Sequence, residues 1–162
     1  EGLDCVMIII GRYGLRCKRE IWRVSYTIAR CRKVALHLLT LEPQDPGRVF
    51  EVFALLRRLH RQGILPLDKN QLDYVLSLKG EDFLDRRLQT VVFNQSPIAK
   101  SMHHSLCLIK LGHIAVGGQV VDNPSFIFRI DSEKKSDTAE FSSLKNGNPG
   151  RVSRIKGAGQ SE

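Results

Sequence analysis

The sequence predicts an α+β protein with a basic helical body at residues 1–80, a small α/β module at 81–131 and an irregular polar tail at 132–162. Three observations predict this order: helical periodicity in the first half, a strand–Gly-Gly–strand pattern near residue 117, and few large apolar residues after Asp131. A length of 162 residues suits one domain, or two small ones that share a boundary. The 42% apolar and 26% charged residues are typical of a globular chain.

The first long helix is predicted from about Lys18 to Leu39, after a Gly-punctuated basic loop at 11–17. Its apolar residues recur in steps of three and four and therefore share one face: Ile21, Val24, Ile28, Cys31, Ala35 and Leu38. The cations near the opposite side are Arg19, Arg23, Arg30, Lys33 and His37. Because no acidic residue stands four positions from the arginines and the lysine, contact with phosphate is favoured over an ordinary solvated face.

A second helix is predicted from about Arg48 to Gln62, antiparallel to the first and ended by Gly63. Its apolar stripe consists of Val49, Val52, Phe53, Leu56 and Leu59. The arginines near its C-terminal end are Arg57, Arg58 and Arg61. Cations at this position also suit the negative end of the helix dipole, so this cluster alone does not indicate a ligand.

Shorter elements are predicted in the rest of the chain. Helices are expected in three segments with breaks at Gly80, Pro97 and Gly112: 73–78, 81–93 and 98–111. Residues 113–121 predict a β-hairpin, because Gly117 and Gly118 tolerate the positive φ of a two-residue turn. Residues 126–130 predict a further strand. The polar residues from 132 onwards are expected to order only against a partner.

The positive charge is concentrated in the first third of the chain. Lys and Arg number 25 against 17 Asp and Glu, which gives a net charge of +8. Residues 11–62 hold 12 Lys/Arg and 4 Asp/Glu, so they carry the whole surplus. This predicts a localised surface for an anionic partner, either nucleic acid or a membrane surface.

Other classes of protein have less support. The four cysteines form no C-x-x-C pair, so neither a zinc site nor a disulfide framework is predicted, and a reducing compartment is expected. The apolar run at 6–10 is far too short to span a membrane. Because the chain begins with Glu1, we expect its native N-terminus to lie upstream.

An ordered series of motifs in residues 82–131 resembles the S-four RNA-binding module. The matching motifs are Arg87-Leu88, Ala99 to Ser101, Leu108 to Val116 and Pro124-Ser125. The resemblance continues at residues 13–24, 54–59, 72–90 and 149–152, where the sequence is similar to small-subunit ribosomal proteins of the S-four family, called S-nine in eukaryotes. It implies a helical body with a projecting RNA-binding module.

The resemblance also implies partners and a location. The partners are small-subunit ribosomal RNA, neighbouring small-subunit proteins and the region where messenger RNA enters, with no membrane partner. The location is the cytoplasmic ribosome after a nucleolar stage of assembly. No catalytic residue, metal ligand or cofactor is predicted. The candidate RNA-binding residues are Arg12, Arg16, Lys18, Arg19, Arg23, Arg30, Lys33, Arg57, Arg58, Arg61, Arg86, Arg87, Lys100, Ser101, His103, His104, Lys110, His113, Arg151 and Arg154.

The module itself carries little net charge. Residues 82–131 hold 5 Lys/Arg against 4 Asp/Glu, and Leu106 stands where the family usually has an arginine. We therefore expect the helices at 18–62 to supply most of the electrostatic attraction to RNA. The module is expected to recognise the shape of the RNA and to orient it. Arg86 or Arg87 could instead pair with Asp82 or Asp85, one helical turn away.

Three alternatives remain open. Pseudouridine synthases and tyrosyl-tRNA synthetases carry the same module, but they need a separate catalytic domain. Here only about 80 residues precede the module, and they are basic and predicted to be helical. A nucleolar factor that processes pre-ribosomal RNA is the stronger alternative, and co-sedimentation with precursor particles would identify it. A protein-interaction module would show no salt-sensitive RNA binding.

Overall fold

The computed structural model describes residues 2–145 and 148–158 and confirms an α+β fold. The helices are Gly2–Tyr13 (α1), Lys18–Thr40 (α2), Pro46–Gln62 (α3), Leu72–Ser77 (α4), Gly80–Asp85 (α5), Leu88–Gln95 (α6), Met102–Lys110 (α7), Ile130–Glu133 (α8) and Arg151–Ala158 (α9). The strands are Ile114–Val116 (β1), Gln119–Val120 (β2) and Ser136–Thr138 (β3). They form an antiparallel sheet in the order β2-β1-β3. No helix among the described residues is both long and apolar enough to cross a membrane.

Helix α2 is the centre of the helical body, as its periodicity predicts. Ala35 and Leu38 are fully buried, and they share one core with Leu56 and Leu59 of α3 and with Val75 of α4. The remaining members of the predicted α2 stripe are buried or half-buried. One apolar face of α2 is therefore covered by the following helices, which leaves the cationic side facing solvent.

Helix α3 begins and ends as its cap residues require. Asp45 accepts a hydrogen bond from the Gly47 backbone N at 3.0 Å, and Gly63 ends the helix at φ +72°. The predicted apolar stripe is too wide, however, since Val49 and Phe53 are exposed. These two side chains line a groove beside the segment that precedes α4.

The predicted basic loop at 11–17 is shorter than expected, because α1 includes residues 11–13. The apolar side chains of Val6, Ile9 and Ile10 pack against a cluster that contains Tyr13 and Leu84. This packing extends the helix through Gly11 and restricts the loop to 14–17.

The predicted helix at 81–93 is wrong in its middle. Gly80 begins α5, and the break falls at Arg86 and Arg87. The extended backbone of Arg87 forms a β-bridge with Ile127, and the Phe128 N donates to the Arg86 O at 2.8 Å. The strand predicted at 126–130 is reduced to this bridge, and its last residue, Ile130, begins α8.

The last predicted helix of the module is shorter than expected. Helix α7 begins at Met102 rather than Ile98, because the Ser101 side chain accepts a hydrogen bond from the His104 N and caps the helix there. The hairpin is confirmed, with Gly117 and Gly118 at positive φ in its turn.

Part of the predicted tail is ordered within the chain itself. Residues 136–138 pair with β1, and Ala139 and Ser142 are buried. The sequence reasoning missed this strand because its three residues are polar and have no apolar alternation. The backbone of residues 136–138 forms its hydrogen bonds with the open edge of β1 rather than with a separate partner.

Candidate nucleic-acid interface

Four exposed cations of α2 form one continuous face. At about 100° per residue, Arg19, Arg23, Arg30 and Lys33 fall within one third of the helix circumference. All four are exposed, on a stretch of about 20 Å along the helix axis. Among the residues that the structure describes, none of the four pairs with a carboxylate within 4.0 Å. We call these four residues the α2 face; their charge is free to meet an anion.

The α2 face continues onto neighbouring elements. Arg16 and Lys18 are exposed beside its N-terminal end. Arg12 is exposed as well, 3.8 Å from the Glu81 carboxylate and above the ring of Tyr13. Exposed ion pairs of this length contribute little and exchange readily, so Arg12 can still meet a phosphate.

Helix α3 adds cations on a second side. Arg57, Arg58 and Arg61 are exposed, and Arg61 lies 3.9 Å from the Asp131 carboxylate. Burial raises the pKa of the Cys31 thiol, while Arg58 and Arg30 both act to lower it. Arg30 of α2 and Arg58 of α3 therefore both lie near enough to this thiol to act on its charge.

Arg86 is one of the predicted RNA-binding residues, and its guanidinium is engaged within the fold. Its guanidinium donates to the Gln62 O at 3.0 Å, to the Phe128 O at 3.2 Å and to the Glu133 carboxylate at 2.8 Å. These bonds join the end of α3 to α8 and to the segment before it. A guanidinium that is already held by three acceptors has little left to offer a phosphate.

Arg87, also predicted to bind RNA, is likewise engaged within the fold. Its side chain is almost fully buried, donates to the Glu20 carboxylate at 3.0 Å and contacts the Ser125 Oγ at 3.2 Å. Neither Arg86 nor Arg87 uses Asp82 or Asp85, the partners that the helical spacing suggests. Arg87 reaches the Glu20 carboxylate and Arg86 reaches the Gln62 O, so the two arginines fasten the module to the body.

The candidates on α7 and beside its two ends divide into two groups. Lys100, His103 and Lys110 are exposed and remain candidates for RNA contact. The other three take part in hydrogen bonds of the fold: Ser101 caps α7, the His104 Nδ1 accepts from the Lys100 N, and the His113 Nδ1 lies 2.9 Å from the Ser142 Oγ. The side chains of Arg151 and Arg154 lie outside the described part of the structure, although both belong to α9.

The sequence reasoning missed two aromatic side chains beside the α2 face. Trp22 is 62% exposed and Tyr26 is 72% exposed. The signal was available in the sequence, because both stand one turn apart among Arg19, Arg23 and Arg30. Aromatic rings between cations are typical of surfaces that bind nucleic acids.

The described residues include no group of three or more His, Cys, Asp or Glu side chains placed to hold a metal ion. Three carboxylates of α2, α5 and α8 are engaged in ion pairs or hydrogen bonds with the chain itself: Glu20 with Arg87, Asp85 with Tyr13, and Glu133 with Arg86. The arrangement therefore offers a cationic binding surface.

Comparison with known proteins agrees with this geometry. The family model of the ribosomal protein S4/S9 N-terminal domain matches residues 4–85, and that of the S4 domain matches residues 86–133. The small ribosomal subunit protein uS4 of Trypanosoma brucei brucei is 53% identical over 156 residues, which cover 96% of this chain and 82% of that protein. The chain therefore belongs to the uS4 family of small-subunit ribosomal proteins.

Proposed function

We propose that this chain holds small-subunit ribosomal RNA mainly through the α2 face and serves the ribosome without catalysing a reaction. The observation that carries the proposal is the set of four exposed cations without carboxylate partners among the described residues. Neutralising phosphates with such cations releases condensed counterions and drives binding to RNA.

The chain is a structural constituent of the small ribosomal subunit, where it binds ribosomal RNA and supports assembly and translation. The identity of 53% extends along 96% of the chain, so it involves the helical body as well as the module. A nucleolar processing factor that shared only the module would leave the match at residues 4–85 unexplained. That alternative is therefore not favoured.

The module supplies shape rather than charge in this proposal. Two of its five cations, Arg86 and Arg87, are held within the fold, and exposed side chains remain at Lys100, Lys110 and Arg129. Such a surface can recognise the shape of folded RNA through ribose and phosphate contacts. The division into a body at 1–80, a module at 81–131 and a tail at 132–162 belongs to the same proposal.

The finer assignments follow the family. We infer contacts with neighbouring small-subunit proteins, a position close to the path by which messenger RNA enters, and a nucleolar stage that precedes the cytoplasmic ribosome. A membrane partner and a catalytic activity are not part of the proposal. Membership of the uS4 family supports the ribosomal location, while the described structure adds the cationic surface.

Co-sedimentation tests the proposal. An epitope-tagged chain should migrate with mature small subunits and with polysomes in a gradient of cell extract. A second variant with Arg19, Arg23 and Arg30 changed to Gln should shift towards the top of the gradient, because its RNA contact is weakened. Migration of the tagged chain solely with large precursor particles would support the processing factor instead.

A further inference from the structure

Trp22 and Tyr26 are exposed although the core has no need of them. Their exposed fractions of 62% and 72% stand against 8% for the neighbouring Ile21 and 6% for Ile28. The opposite side of α2 already provides a complete apolar stripe for the body. Leaving two large rings in water forgoes the free energy of burying them, so a partner that covers them gains that energy.

The rings lie among the cations of the α2 face. At about 100° per residue, Trp22 and Tyr26 are neighbours on one side of the helix, about 40° apart, and Tyr26 falls between Arg19 and Lys33 around the axis. A partner that covers the rings must therefore also accept the charge of the guanidinium groups. This combination fits RNA, which offers flat bases and phosphates together.

We propose that Trp22 and Tyr26 stack on unpaired bases of the RNA whose phosphates are held by the α2 face. This inference rests on the proposed function and names the kind of RNA: a single-stranded or bulged segment, rather than a continuous duplex. In an A-form duplex the bases are stacked on one another, so an aromatic side chain can stack only on a base that is splayed out. Every base has a π-face, so the stacking tolerates many sequences.

The experiment uses the fact that Trp22 is the single tryptophan of the chain. Its emission reports directly on the proposed stack. We would titrate the full chain with an oligouridylate and, separately, with a perfect RNA duplex of the same length, at several salt concentrations. Quenching by the oligouridylate and little quenching by the duplex are expected.

Four variants sharpen the test. The affinity of each variant is read from the anisotropy of a labelled oligouridylate, because Trp22→Leu removes the tryptophan. Trp22→Leu and Tyr26→Leu should each weaken this binding by about 5- to 160-fold, the loss of one stacked base. The salt slope should stay unchanged, since no charge is removed. Tyr26→Phe keeps the ring and should bind almost as the wild type does. Tyr74→Leu removes a ring on α4, away from the α2 face, and serves as the control for losing an aromatic side chain.

Two results would overturn the inference while leaving the proposed function intact. One is salt-sensitive binding of RNA with no change in Trp22 emission and full affinity in both leucine variants, which would make the rings a surface for a protein. The other is equal quenching by the duplex. Absence of any salt-sensitive binding in the wild type would instead contradict the proposed function itself.

Discussion

The guanidinium of Arg87 lies 3.0 Å from the carboxylate of Glu20, and this buried ion pair ties the first turn of α2 to the start of α6. The side chains are 6% and 19% exposed. The pair therefore connects the helix that carries the α2 face to the module. It ties the α2 face to the module through one contact between side chains.

Removing one partner should destabilise the fold. Glu20→Ala leaves the Arg87 guanidinium buried without its carboxylate, and we expect a loss of about 3 kcal/mol, near the lower end for a buried pair because Glu20 keeps some exposure. Glu81→Ala is the matched control, since Glu81 also lies in the first turn of a helix but pairs with Arg12 at the surface. That change should cost less than about 1 kcal/mol in denaturant unfolding. Equal losses in the two variants would show that the buried pair does not hold the module.

The sequence predicted those features that depend on neighbouring residues. The steps of three and four in α2 describe a buried stripe because each turn of a helix returns to the same side, and Ala35 and Leu38 are fully buried there. The end of α3 at Gly63 follows from the left-handed conformation that glycine permits. The cationic side of α2 could be located in the same way.

The features that were missed depend on residues far apart in the chain. Arg87 finds its partner 67 positions away and Arg86 finds Glu133 47 positions away, whereas local spacing suggested Asp82 and Asp85. The strand at 136–138 exists because β1 offers it an open edge, and its own residues carry no strand pattern. Tertiary contacts of this kind leave no local signal in one sequence.

A close approach at the end of α3 leads to a second prediction. A Cβ on Gly63 would lie 2.9 Å from the Arg86 Nε, and the backbone there has φ +72°. Gly117 has φ +62° with nothing within 4 Å of the same position. Gly117→Ala should therefore show the backbone cost alone, about 1–2 kcal/mol, and Gly63→Ala should lose more because Arg86 must shift. Thermal unfolding of both variants measures the difference, and a smaller loss for Gly63→Ala would mean that Arg86 is not packed beneath this turn.

A third prediction concerns alkaline pH. The Tyr13 hydroxyl donates to the Asp85 Oδ1 at 2.7 Å, and burial together with this carboxylate raises the pKa of Tyr13 well above its usual value of 10.0. Because the pKa of Tyr13 is higher in the folded protein than in the unfolded chain, its neutral hydroxyl stabilises the fold at pH values below the unfolded pKa. This contribution to stability is lost as the pH rises above about 10. We expect the phenolate absorbance of Tyr13 to appear only as the protein unfolds.

Tyr13→Phe provides the control for that titration. It should leave the absorbance rise before unfolding unchanged and reduce only the part that accompanies unfolding. It should also lower the stability at neutral pH by about 1 kcal/mol, since a partly buried hydrogen bond is lost. A reduced absorbance rise in the folded protein would show that Tyr13 ionises without unfolding.

The salt dependence of RNA binding tests most directly whether the α2 face holds the RNA. The dissociation constant for a small-subunit ribosomal RNA fragment should be measured over a range of salt for the wild type and for the variant with Arg19, Arg23 and Arg30 changed to Gln. In a plot of the logarithm of the dissociation constant against the logarithm of the salt concentration, the slope for the arginine variant should be lower than that of the wild type by about 2–3. Each neutralised phosphate contributes about 0.7–0.9 to this slope. The control removes three exposed cations elsewhere, Lys69, Lys134 and Lys135, and should keep the wild-type slope. An unchanged slope in the arginine variant, or an equal fall in the lysine control, would contradict the account.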